Sequence, residues 1–155
     1  MTKKQQTAYT LFLMAAVAMV LVVFSRTRTF DELIPVTDNV SVTAYYWHSA
    51  NAYTGAKWEA GSPEAQQVLE LLRGTTYRRS LVYELIFRTR RVERVNQMLN
   101  GNSGVLTLVL QGESTGKYTI GFQNGTISFD GYNGFNAEDE GLYDALAAMM
   151  REQAG

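Results

Sequence analysis

The chain is 155 residues long, the size of one domain, with 46% hydrophobic and 19% charged residues. It has no cysteine, which excludes disulfides, thiolate zinc sites, a cysteine nucleophile and a lipid-modified cysteine. The first 28 residues contain Lys3, Lys4, Arg26 and Arg28 and no acid; the remainder has 10 basic and 15 acidic residues, a formal charge of −5. A domain of that sign repels nucleic-acid phosphates, so no nucleic-acid partner is expected.

Residues 1–7 form a short basic tail. Ala8 to Phe24 is a run of 17 residues in which Thr10 is the only clearly polar side chain. It has no polar stripe of the kind a helix in a small soluble core would carry. At 1.5 Å per residue it spans about 25 Å, and Thr7 and Ser25 bring it nearer the roughly 30 Å of a bilayer core. Residues 8–25 therefore read as a transmembrane signal-anchor. Cleavage is disfavoured because Ala16-Val17-Ala18 lies inside the apolar run and the run passes straight into Arg26 and Arg28. Lys3 and Lys4 favour a cytoplasmic N-terminus and an extracytoplasmic domain, although arginines flank the other side.

Residues 26–38, with Pro35, read as a spacer before an α+β domain over 39–155. Val40, Val42, Ala44 and Tyr46 alternate with Ser41, Thr43 and Tyr45, the pattern of a half-buried strand. His48 to Gly61 reads as a loop. Ser62, Pro63 and Glu64 start a helix whose apolar face is Ala65, Val68, Leu69 and Leu72, and Gly74 ends it. Thr75 to Ser80 reads as a short strand. Leu81 to Leu99 has a helical stripe, though Val82 to Phe87 would also suit a strand.

Val105–Gln111, Lys117–Phe122 and Thr126–Asp130 are three apolar-rich runs, the last two joined by Asn124-Gly125, a hairpin-turn pair. They predict an antiparallel meander. A last helix is expected from about Ala137 to Glu152, capped by Asn136, with Glu138, Asp139 and Glu140 in its first turn and Leu142, Tyr143, Leu146, Met149 and Met150 on its apolar side. The expected fold is an antiparallel sheet of about four strands with two or three helices on one face.

No motif specifies a reaction, cofactor or metal. His48 is the only histidine, and no second ligand is spaced to share an ion with it. Asp130 to Asn136 is a fragment of a calcium loop without the closing glutamate. The glycine segments 101–104 and 112–116 lack a phosphate-loop ending, because Lys117 precedes Tyr118. Asn39 and Asn124 begin glycosylation sequons, which matter only in a glycosylating pathway.

Two groups of side chains stand out. Arg73, Arg78, Arg79, Arg88, Arg90, Arg91 and Arg94 are seven of the domain's ten basic residues. Their guanidinium forks suit carboxylate or phosphate, and the bland reading is a solvated face neutralised by the domain's own acids. Tyr45, Tyr46, Trp47, Tyr53 and Trp58, beside His48, suit stacking on peptides or sugars, and the bland reading is one core face and one covered edge. The candidate binding surface is Arg78, Arg79, Arg88, Arg90, Arg91 and Arg94 with Tyr45, Trp47, His48, Tyr53 and Trp58.

The expectation is a membrane-anchored, non-enzymatic domain that binds a peptide, protein or anionic envelope polymer. A small envelope hydrolase or transferase is the alternative, and would need a cleft joining Glu59, Glu84 or Asp130 to a second polar group. A structural subunit of a membrane complex is the third.

Overall fold

The structure is a computed structural model, described for residues 3–36, 39–49, 52–80, 104–112, 116–123, 126–130 and 132–154. The element read at Leu81–Leu99, the turns at 101–103, 113–115 and 124–125, and Gly131 of the calcium-loop fragment lie outside the described residues.

The N-terminal helix α1 spans Lys3–Ser25 and is long and apolar enough to cross a membrane; none of its most apolar stretch is buried against the domain. A single residue, Arg26, separates it from β1, Thr27–Arg28. Helix α2, Phe30–Leu33, follows at once behind a capping box: the Thr29 N–H donates to the Glu32 carboxylate at 3.0 Å.

Residues 26–36 of the expected spacer are thus folded structure. Phe30 and Ile34 are fully buried and Val36 nearly so. Their apolar side chains gain more from joining the core than Pro35 and the polar neighbours gain from remaining a solvated linker.

The remaining strands are β2 (Ser41–Ser49), β3 (Ala52–Trp58), β4 (Tyr77–Arg79), β5 (Val105–Gly112), β6 (Gly116–Gln123), β7 (Thr126–Phe129) and β8 (Tyr132–Ala137). The other helices are α3, Pro63–Arg73, and α4, Leu142–Ala154. Among the described residues the strands form one eight-stranded sheet in the order β1-β4-β8-β7-β6-β5-β2-β3, antiparallel throughout. The fold is α+β as expected, but with eight strands instead of about four.

Three of the extra strands correct the sequence reading. The stretch read as a loop from His48 to Gly61 extends β2 to Ser49 and contains β3. Its Ala, Asn and Gly content resembles a loop, yet Ala56 and Trp58 turn inward while Tyr53, Gly55 and Lys57 turn outward. Residues 132–137 pair with both β4 and β7 as β8, so Asn136 is a strand residue facing Arg78, not a helix cap. Helix α4 therefore starts at Leu142, five residues later than expected, because the Glu138 N–H is held by Thr76 O and the Asp139 N–H by the Thr75 hydroxyl. The third, β1, is too short to leave a periodic signal.

One sheet face carries the core. Val42, Ala44, Trp58, Leu106, Leu108, Leu110, Ile120, Phe122, Phe129 and Phe135 lie on it under α3 and α4. Helix α3 forms as its sequence predicts. Ser62 Oγ accepts the Ala65 N–H at 3.2 Å, and the Gly74 N–H closes the last turn on Glu70 O at 2.8 Å. Phe129 is an aromatic hub, with ring centroids 4.9 Å from Tyr77, 5.5 Å from Phe135 and 6.3 Å from Phe30.

Candidate functional site

β3 ends the sheet order, so among the described residues one of its sides has no neighbouring strand. Alternation decides which of its backbone groups point there. The Gly104 N–H donates to Trp47 O at 3.1 Å, beside the Trp47↔Val105 pair, so the backbone polar groups of Trp47 turn toward β5. Thr43 and Tyr45 follow by the two-residue period. Their partners across the hairpin, Lys57, Gly55 and Tyr53, then hold non-hydrogen-bonded positions and turn their N–H and C=O groups away from β2. The Gln153 side chain agrees: it donates to Lys57 O at 3.5 Å from outside the sheet. Gly104 itself has φ +105° and leaves 3.2 Å between a would-be Cβ and the Tyr143 hydroxyl, so a larger residue there is strained.

The same hairpin assembles the aromatics on the face away from the helices. Trp47 pairs directly with Tyr53, their ring centroids 5.0 Å apart, and Tyr45 meets the Tyr53 ring edge-on at 5.5 Å. The Tyr53 ring lies beside Gly55, opposite Tyr45; a Cβ at Gly55 would meet that ring at 3.6 Å, an ordinary contact. Tyr53 is 55% exposed, the most open large apolar side chain of the described domain outside α1. Tyr46 points the other way and packs against the core.

Trp58 is 4% exposed and belongs to the core, not to this surface. The loop reading hid the alternation that turns it inward. His48 lies on β2 by its backbone, and its side chain is outside the described residues.

The arginines divide. Arg88, Arg90, Arg91 and Arg94 lie outside the described residues. Arg73 is tied to Asp31 at 3.0 Å and to Val36 O at 3.2 Å, joining α3 to α2. Arg78 is paired with Glu138 at 2.8 Å. Arg79 sits with its guanidinium carbon 5.9 Å from the Phe135 ring centroid, and its buried Nε has no hydrogen-bond partner. The aromatic group, on β2 and β3, and Arg78 and Arg79, on β4, lie toward opposite ends of the strand order and do not form one surface.

Of the candidate acids, Glu84 is outside the described residues. Glu59 follows β3 and is paired with Lys57 at 2.9 Å, while Asp130 turns the β7–β8 hairpin with φ 45°. Four strand spacings separate β3 from β7, about 19 Å at roughly 4.8 Å each. Paired glycosidase carboxylates stand within roughly 10 Å, so these two share no cleft. No cluster of three His, Asp or Glu residues able to hold a metal occurs among the described residues. Glu138 to Glu140 precede α4. The hydrogen bond from the Thr76 hydroxyl holds the Glu138 carboxyl below the usual range; desolvation opposes it, and the charge and hydrogen bond of Arg78 add to the lowering.

A groove of about 660 Å³ opens between the start of α4 and β6–β8, with Phe122, Ile127 and Leu142 in its wall and Asp139, Glu140 and Tyr143 among its polar groups. Burial, then the neighbouring Tyr46, pushes the Tyr143 phenol up to about 12, so at neutral pH it is a hydrogen-bond donor, used on Gly104 O at 2.8 Å. The groove adds no paired acid and base.

These features define an α+β domain in which the β3 edge, beside an aromatic cluster, has no strand neighbour among the described residues, joined to an apolar N-terminal helix. Comparison of the chain with protein-family models, curated proteins and solved structures finds no match.

Proposed function

We propose that the chain is a membrane-anchored, non-enzymatic binding domain, held outside the cytoplasm by α1, that takes an extended peptide segment along the free edge of β3. The observation that carries this reading is the open edge itself. Tyr53, Gly55 and Lys57 direct N–H and C=O groups outward, of which the Lys57 C=O already accepts from Gln153, and an added strand satisfies the others through main-chain hydrogen bonds. Side chains of that strand would meet Tyr53, backed by Trp47 and Tyr45, as a stacking platform. Lys57, a charge on the edge, guards against indiscriminate sheet pairing.

The test is a photo-crosslinking amino acid in place of Lys57, the exposed residue further along the same edge, in the full chain irradiated in native membranes. The expected product is an adduct to an extended segment of another polypeptide. Gly55→Pro should abolish it, because proline removes an outward N–H without touching a β2 bond. Tyr53→Ala should weaken capture by roughly 2 kcal/mol, as for an interface anchor. An adduct that survives Gly55→Pro, or no adduct at all, would refute the reading. An adduct only to a second copy would make the edge a self-association surface instead.

A further inference from the structure

Arginines gather where α1 enters the sheet. β1 pairs Thr27 with Arg78 and Arg28 with Tyr77, and continuing that register one step sets Arg26 against Arg79. Directly paired residues share a sheet face. Arg26, Arg28 and Arg79 therefore lie on the face of Tyr77, and Arg78 lies on the other.

Their counter-charges differ. Arg26 reaches Glu32 at 3.7 Å, and Arg78 reaches Glu138 at 2.8 Å. Arg28 is half-buried without an acidic partner among the described residues. Arg79 likewise has none, and its buried Nε–H lacks any acceptor. A buried donor on a charged group is costly to leave unmet. No acid of the described sheet edge compensates it.

Position points to an anion outside the protein for the part of the Arg79 side chain that is not buried. The apolar run ends at Phe24 and α1 at Ser25, so Arg26 to Arg28 follow within a few ångströms of the helix end, and α1 abuts β4. A helix crossing a bilayer places residues just beyond its apolar run at the phosphate level. The β1–β4 pairing then fixes Arg79 in that same layer, a placement that residue 79 could not obtain from sequence proximity. Guanidinium forks match phosphate oxygens bidentately.

We propose that Arg79 and Arg28 form a binding site for the phosphate of an anionic phospholipid headgroup at the exit of the anchor. The site seats the sheet edge on the bilayer. It is independent of the peptide reading of β3 and depends only on α1 being a retained span.

The test uses the full chain in detergent, titrated with phosphatidylglycerol or phosphatidylcholine and read as lipid-bound mass by native mass spectrometry. Phosphatidylglycerol should be retained in preference to phosphatidylcholine. Arg79→Gln and Arg28→Gln should each weaken its retention about tenfold, the factor for one lost charge-assisted hydrogen bond. Arg78→Gln, on the opposite face and paired with Glu138, should not change it. If Arg79→Gln fails to fold, Arg28→Gln carries the test. Equal retention of the two lipids, unchanged retention in the folded variants, or displacement by inorganic phosphate at matched ionic strength would overturn the proposal. So would an intact mass showing that the mature protein lacks α1, a failure of the premise that leaves the β3 experiment standing.

Discussion

Glu138 shows how much one side chain at a strand end can organise. It accepts from the Thr76 hydroxyl and from Arg78, so one carboxylate clamps the start of β4 to the chain leaving β8. Both contacts favour the charged form, and its folded-state pKa is lowered. A lowered carboxyl contributes stability that is present above the unfolded value, about 4.3 for a glutamate, and that disappears as pH falls through the folded value. Glu138→Gln should therefore be less stable than the parent at neutral pH, with the gap closing as the medium becomes acidic. Denaturant midpoints of both proteins at neutral and acidic pH give the comparison. A gap that widens on acidification would show that the carboxylate is not the stabilising species. The sequence alone places the neighbouring Asp139 and Glu140 with Glu138 in the first turn of a helix. The spacing of acids before an apolar stripe supports that reading, but it does not reveal the β4–β8 pairing that keeps this stretch out of the helix.

At the scale of elements, legibility follows the length and periodicity of each segment. α3 and the β5–β7 meander were plain because Ser62-Pro63, the Leu69–Leu72 stripe and the alternation of Leu106, Leu108 and Leu110 are local signals. β3 was legible only in part: Ala56 and Trp58 alternate with Gly55 and Lys57, but Asn51, Gly55 and the alanines resemble a loop. Half of the aromatic site was readable, since alternation sets Tyr45 and Trp47 opposite Tyr46; the addition of Tyr53 depends on hairpin register. β1 pairs only with the distant β4, and β8 joins the adjacent β7 to that same distant strand, pairings that no window over Tyr132–Ala137 or Thr27–Arg28 can display.

The segment before β2 has an energetic consequence. Phe30 and Ile34 are wholly buried, and Phe30 packs beside Phe129. Burial of two such side chains contributes roughly 3–6 kcal/mol, against a total stability of about 5–15 kcal/mol for an ordinary domain. A fragment starting at Arg26 should unfold cooperatively without α1. One starting at Asn39, the boundary read from the sequence, should be destabilised by that amount or fail to fold. Equal unfolding midpoints for the two fragments would show that α2 is dispensable.

For the whole molecule, the link between helix and sheet is short enough to make orientation a property of the entire chain. Only Arg26 lies between α1 and β1, so if α1 is a retained membrane span, the side on which it ends is the side on which the sheet sits. Lys3 and Lys4 precede the apolar run, while Arg26 and Arg28 follow it. Loop lysines and arginines bias a terminus toward the cytoplasm, and here the two flanks compete. Folding of Arg28 into β1 and the pairing of Arg26 with Glu32 reduce the free positive charge on the domain side. Lys3 and Lys4 have no comparable acid nearby in the sequence, which favours a cytoplasmic N-terminus. Because the chain contains no cysteine, single introduced thiols report topology without background. Lys117→Cys, on the exposed part of β6, should react with a membrane-impermeant maleimide in intact cells, and Gln6→Cys should react only after lysis. The reverse pattern would place the domain in the cytoplasm. Loss of the Gln6→Cys thiol from the mature protein, seen as a mass lacking α1, would identify the helix as a cleaved signal sequence.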